Sequence, residues 1–179
     1  MAGLLRIASG IDGISRFFAW IATWLVLLSC LISAGNAASR YLLSLSSNAW
    51  LEIQWQMFAG IFLLAAPWVL KVNEHVRVDL LYGMASERKR LWIDVIGIIF
   101  FLFPVTIMVG VMSWGFFLTS YHAGEMSMNA GGLPVWPVKL LLPLGMALMF
   151  LQGAAELIKR IAALRGFGDA TPTYEKPLQ

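Results

Sequence analysis

The sequence predicts an all-α integral membrane protein with four transmembrane helices and both termini on the cytoplasmic side. Three observations lead there. Of its 179 residues, 59% are hydrophobic and only 13% are charged, where a soluble domain carries about 25% charged residues. The few charges leave four windows empty, at 17–39, 53–70, 95–124 and 140–155. Lysine and arginine then fall mainly on one side of those windows. Arg6 and Arg16 precede the first, Lys71, Arg77, Arg88, Lys89 and Arg90 separate the second from the third, and Lys159, Arg160, Arg165 and Lys176 follow the fourth. The opposite side holds Arg40 and Lys139. Basic loops stay in the cytoplasm, so the net charge of +3 reports topology and does not point to nucleic acid.

A bilayer core about 30 Å thick takes roughly 20 apolar residues of helix, and helix is the spanning form that satisfies every backbone group within one segment. The expected helices run over about 15–40, 49–71, 91–120 and 137–160, in one membrane domain covering 1–179, with a disordered tail from about 166 to 179. The first window exceeds the 7–15 apolar residues of a secretory leader, so it is expected to persist as a helix. On it, Ser29, Ser33 and Ala37 recur every fourth residue. Such small residues let another helix approach closely.

The second helix starts at Ser47 or Asn48, either of which suits a cap. Glu52 and Gln56 lie one turn apart on one face, and Gln54 points elsewhere. Polar groups here are costly against lipid. They form either an ion or proton site or a satisfied interfacial cluster, and the edge position of Glu52 favours the cluster. Trp20, Tyr41, Trp50, Trp68, Trp92, Tyr121 and Trp136 stand near window edges, at headgroup level. Trp55 and Trp114 lie deeper and are expected between helices.

Between helices two and three, His75, Arg77 and Asp79 alternate with Val76 and Val78. In an extended chain they project from one side, which makes this an amphipathic cytoplasmic segment. Ser86 then caps the third helix, with Glu87 in its first turn. Pro104 predicts a kink in that helix. The loop from Glu125 through Asn129, Gly131, Gly132 and Pro134 to Trp136 and Pro137 is turn-rich.

Enzymatic chemistry has little to work with. Cys30 is the one cysteine, and His75 and His122 are the two histidines. Membrane haem groups need histidines inside helices, and thiol chemistry needs a cysteine pair. No catalytic, cofactor-binding or metal-ligating residue is assigned, and no cofactor is expected. No ionisable group stands mid-membrane, where transporters usually place them. These features favour a helper subunit. A stand-alone multidrug-type carrier and a redox or haem anchor subunit are the alternatives.

Three stretches resemble a known family: Glu52-Ile53-Gln54-Trp55, His75-Val76-Arg77-Val78-Asp79, and Asn129-Ala130-Gly131-Gly132-Leu133-Pro134 running on through Trp136, Pro137, Lys139, Pro143 and Gln152. The chain resembles the small, DctQ-like permease subunit of tripartite ATP-independent periplasmic (TRAP) transporters over roughly 14–159. The resemblance implies a multi-pass protein of the bacterial inner membrane. Its implied partners are membrane lipid, a large elevator-type membrane subunit and a periplasmic substrate-binding protein. It also implies sodium-driven import of organic acids, commonly carboxylates, with this chain as a fixed buttress. On that footing Ser29, Ser33, Ala37 and Trp55 are expected to meet the large subunit. His75, Arg77 and Asp79 would fix the cytoplasmic hairpin. Glu52, Gln56, Glu125, Asn129 and Trp136 would lie on the periplasmic side, facing the binding protein.

Overall fold

The computed structural model describes residues 1–45, 47–73 and 85–167. They form α1 (Ala2–Leu43), α2 (Asn48–Val72), α3 (Glu87–Gly97), a π-helical turn (Ile98–Leu102), α4 (Phe103–His122) and α5 (Trp136–Leu164). Among the described residues there is no strand, only one isolated bridge between Met126 and Pro134. Since α3, the π turn and α4 run on as one rod, four helices among the described residues are long and apolar enough to cross a membrane. The expected fold class stands. The segment holding His75, Arg77 and Asp79, and the tail beyond Phe167, lie outside the described residues.

The helices outrun the apolar windows. α1 has 42 residues, roughly 63 Å at 1.5 Å per residue, and starts at Ala2, well ahead of residue 15. Arg6, Asp12 and Arg16 shortened the window but not the helix, because a charged residue is excluded from hydrocarbon, not from helix. α1 ends at Ser44, whose left-handed backbone (φ 54°) brings its N–H to Ser39 O. α2 ends the same way at Asn73 (φ 64°), a residue that tolerates this conformation.

Buried positions on α1 recur every seventh residue: Ala8, Ser15, Ala22, Ser29 and Asn36. That interval keeps one seam of a helix against its partner, and the small side chains set α1 close to α2 and α5. These three pack mutually, whereas α4 packs chiefly on α5. The apolar core at their junction is Ala22, Leu64 and Leu148, with Phe18, Leu25, Leu141 and Leu144 around it. Bulky apolar side chains such as Phe62, Phe101, Val111 and Met112 point outward, as lipid permits.

Two close approaches fix the helix spacing, and each is tied to a proline. Pro67 sits inside α2 and has no N–H for the carbonyl of Leu63, four residues back. At that carbonyl α5 presents Gly145, where a Cβ would stand 3.1 Å from Leu63 O and 2.9 Å from Leu63 Cβ. Gly145→Ala is expected to cost about 1–3 kcal/mol as overpacking, read as a lower unfolding midpoint in mixed micelles. In the third rod the π turn immediately precedes Pro104, so the register widens where the proline withholds its N–H. Thr106 Oγ1 donates to Leu102 O (2.8 Å) and lies 3.1 Å from Phe103 O. Gly153 of α5 backs onto this turn, with a Cβ position 2.6 Å from Leu102 Cδ2.

Candidate functional site

Polar side chains gather at two ends of the bundle. The first cluster lies where the N-terminal part of α1 meets the C-terminal part of α5. Ser15 Oγ donates to Gln152 Oε1 (2.7 Å), and Gln152 Nε2 donates to Asp12 Oδ1 (3.0 Å) and Glu156 Oε1 (3.2 Å). Lys159 Nζ reaches both oxygens of Asp12 (2.7 and 2.8 Å) and Glu156 Oε1 (2.8 Å). Arg160 Nε donates to Asp94 Oδ2 of α3 (2.8 Å), and its other arm pairs with Glu156 Oε2. Lys71 of α2 approaches Asp12 at 3.8 Å, and Lys71 and Arg16 lie over the Trp68 ring, 4.3 and 5.5 Å from its centroid.

Helices α1, α2, α3 and α5 are thus joined through one network. Three acids, Asp12, Asp94 and Glu156, pair with three bases, Lys71, Lys159 and Arg160. The Arg160 and Glu156 side chains are 2% and 4% exposed, and buried ions are tolerated only when paired and hydrogen-bonded. Apart from Gln152, which the family resemblance touches, this cluster went unread in the sequence. Its signal is the spacing of four in Gln152–Glu156–Arg160, which stacks three polar groups on one face of α5, and Asp12 and Ser15 three apart on α1.

The second cluster closes the opposite end. The chain from Gly124 to Val135 folds back on itself. Ser127 N donates to Leu133 O (2.9 Å) and Val135 N to Glu125 O (3.0 Å). Gly131 takes φ 74°, and a Cβ on Gly132 would stand 2.3 Å from Ser127 O, so Gly-Gly is required for the turn to close. α2 holds this hairpin from below. Glu52, only 7% exposed, accepts from Leu133 N (3.3 Å), and Gln56 Nε2 donates to Pro134 O (3.1 Å). Gln54 instead bonds to Trp50 O within its own helix (3.1 Å). Trp136 meets Tyr121 edge-on at 5.5 Å. Asn129 N bonds to Ser127 Oγ (3.3 Å), and Met128 at the tip is fully exposed.

Glu125 pairs with Lys139 of α5, whose ammonium also lies 4.0 Å from the Phe116 ring centroid. That hydrogen-bonded ammonium holds the Glu125 carboxyl below its ordinary 4.5. A depressed carboxyl pKa means the tie is present at neutral pH and is lost as the pH falls through the lowered value. Hydrogen exchange at Val135 N–H, corrected for intrinsic rate, is expected to accelerate below about pH 4.5. In Glu125→Gln that pH dependence disappears.

The structure separates the stripe read on α1. Ser29 is buried on the seam facing α2 and α5, whereas Ser33 and Ala37 face outward. Trp55 and Trp114 are not buried between this chain's helices; they are 67% and 51% exposed. Of the two readings of Glu52 and Gln56, the satisfied cluster fits, since both side chains are engaged by the hairpin backbone. Ser47 is the N-cap of α2, yet its hydroxyl makes no capping bond.

Fold and clusters together define a multi-pass membrane protein whose described polar groups tie its own helices and loops to one another. Residues 29–163 match the family described as tripartite ATP-independent periplasmic transporters, DctQ component, and the chain belongs to that family. It is therefore a small membrane subunit of a TRAP transporter, in a family of transporter subunits that work beside a large membrane subunit and a binding protein. No curated protein and no solved structure matched the chain.

Proposed function

We propose that this subunit is the fixed lateral wall of a sodium-driven, binding-protein-dependent importer of organic acids, with carboxylates the substrate class. In this reading it scaffolds the large elevator-type subunit and carries neither substrate nor sodium. One observation supports it above others: charged side chains stop at Arg16 and Arg40 on α1, Glu52 and Lys71 on α2, Asp94 on the third rod, and Lys139 and Glu156 on α5. The lengths between carry no charge, with buried hydroxyls such as Thr106 and Ser113 bonded to their own helix. A wall that does not move has no use for ionisable groups in the bilayer core, where each is costly.

The end holding the start of α1 and the end of α5 is assigned to the cytoplasm by its basic residues, and the hairpin end to the periplasm. Ser33, Ala37 and Trp55 are offered to the large subunit, while Ser29 serves inside the chain. The hairpin presents Met128 and Asn129 to the binding protein; Glu52, Gln56, Glu125 and Trp136 act as its supports. Replacing Ser33 and Ala37 together by leucine is expected to cut recovery of the large subunit in co-purification by about tenfold, the equivalent of 1.4 kcal/mol. Full recovery would assign the joint to another face.

A further inference from the structure

We propose that the corner between α1 and α2 binds the phosphodiester group of a phospholipid from the leaflet at the hairpin end. A cavity of about 320 Å³ opens there, lined by Gly35, Asn36 and Ser39 of α1, Leu45 and Ser47 of the turn, and Trp50 of α2. Asn36 is 7% exposed, yet its amide makes no hydrogen bond to any described residue and borders the cavity instead. That amide is open to the cavity, and its two N–H donors suit an acceptor-rich ligand.

A second, independent feature points to the same chemistry. α2 is 25 residues long and begins at this cavity, with Ser47 as an extended N-cap residue whose hydroxyl makes no capping bond. The first N–H groups of the helix, at Ala49 and Trp50, therefore lack the acceptor that a cap supplies. They carry the positive end of the helix dipole, where phosphate groups bind. The cavity lining contains no carboxylate, and Glu52 in the next turn is occupied by Leu133 N.

The surroundings select a lipid over a free anion. Tyr41, Leu42 and Leu43 at the end of α1 are 87%, 81% and 65% exposed, an apolar and interfacial rim next in sequence to a cavity that holds the Asn36 amide. Acyl chains lying along this rim would direct the headgroup inward. No part of this inference depends on the transporter mechanism.

The test uses the full chain in complex with its large subunit, delipidated in mild detergent and titrated with phosphatidylglycerol. The readouts are thermal stabilisation and the phospholipid retained in native mass spectrometry. Wild type is expected to retain one more phosphatidylglycerol than Asn36→Leu, and the variant to need about tenfold more lipid for equal stabilisation, as for loss of a donor to a charged group. Ser47→Asp supplies the missing cap and so favours α2, yet places a carboxylate against the phosphodiester; it is expected to weaken lipid retention without loss of fold. Equal retention by wild type and both variants overturns the proposal. Equal stabilisation by millimolar inorganic phosphate overturns the choice of a lipid.

Discussion

Arg160→Leu is expected to lower stability by about 3–5 kcal/mol, the cost of leaving a buried charge without its partner. Arg160 bonds Asp94 of α3 and Glu156 of its own helix and is 2% exposed. Its removal takes one ionic partner from Asp94 and one from Glu156, two acids held largely away from bulk water. Glu156 also accepts from Gln152 and Lys159, so the disturbance reaches Asp12 and α1. The measurement is unfolding in mixed micelles. A second substitution, Asp94→Asn, placed on Arg160→Leu should return part of the loss, because it removes one of the two charges that lose that partner. A variant within 1 kcal/mol of wild type would mean that the cluster does not hold the helices together.

Gly132→Ala is expected to open the outer hairpin and leave the four helices standing. The added methyl would lie 2.3 Å from Ser127 O and 3.0 Å from Asn129 O, both backbone atoms of the same turn. Neither atom can yield without breaking the Ser127 N to Leu133 O bond. Overpacking of this kind costs about 1–3 kcal/mol, confined here to a segment outside the helices. Hydrogen exchange should rise at Ser127 and Val135 with the Arg160-dependent unfolding midpoint unchanged. If the hairpin meets the binding protein, uptake by the assembled transporter falls by about tenfold, the equivalent of 1.4 kcal/mol, with the large subunit still bound. Normal uptake with an opened hairpin would make the loop a structural closure alone.

The four spans were legible because lipid demands long uncharged windows and the chain provides them. The ends of the spans were less legible. Arg16 and Glu156 read as limits of hydrocarbon, whereas they are interior members of helices that continue beyond it. The charge cluster escaped notice because its members lie 137 to 147 residues apart in the bonds that join α1 to α5, a separation no local pattern encodes. Only its local half, the polar face of α5, was there to be read. The α1 seam was half legible: Ser29, Ser33 and Ala37 at intervals of four mark small residues, but the packing interval is seven, so Ser29 turned inward and the other two outward. Glu52 and Gln56 were correctly placed on one face. That this face meets Leu133 and Pro134 depends on a hairpin whose Gly-Gly pair announced a turn without its direction.

The central claim, that this subunit is a wall and not a pathway, is tested most directly by sodium-dependent uptake in proteoliposomes. Vesicles would hold the small subunit alone, the large alone, or both, with the binding protein and its organic-acid ligand outside. The account predicts no uptake by the small subunit alone, full uptake with both, and in the complete system unchanged sodium dependence when Glu52→Gln is introduced. Uptake by the small subunit alone, or a shifted sodium dependence in Glu52→Gln with the complex intact, would contradict it.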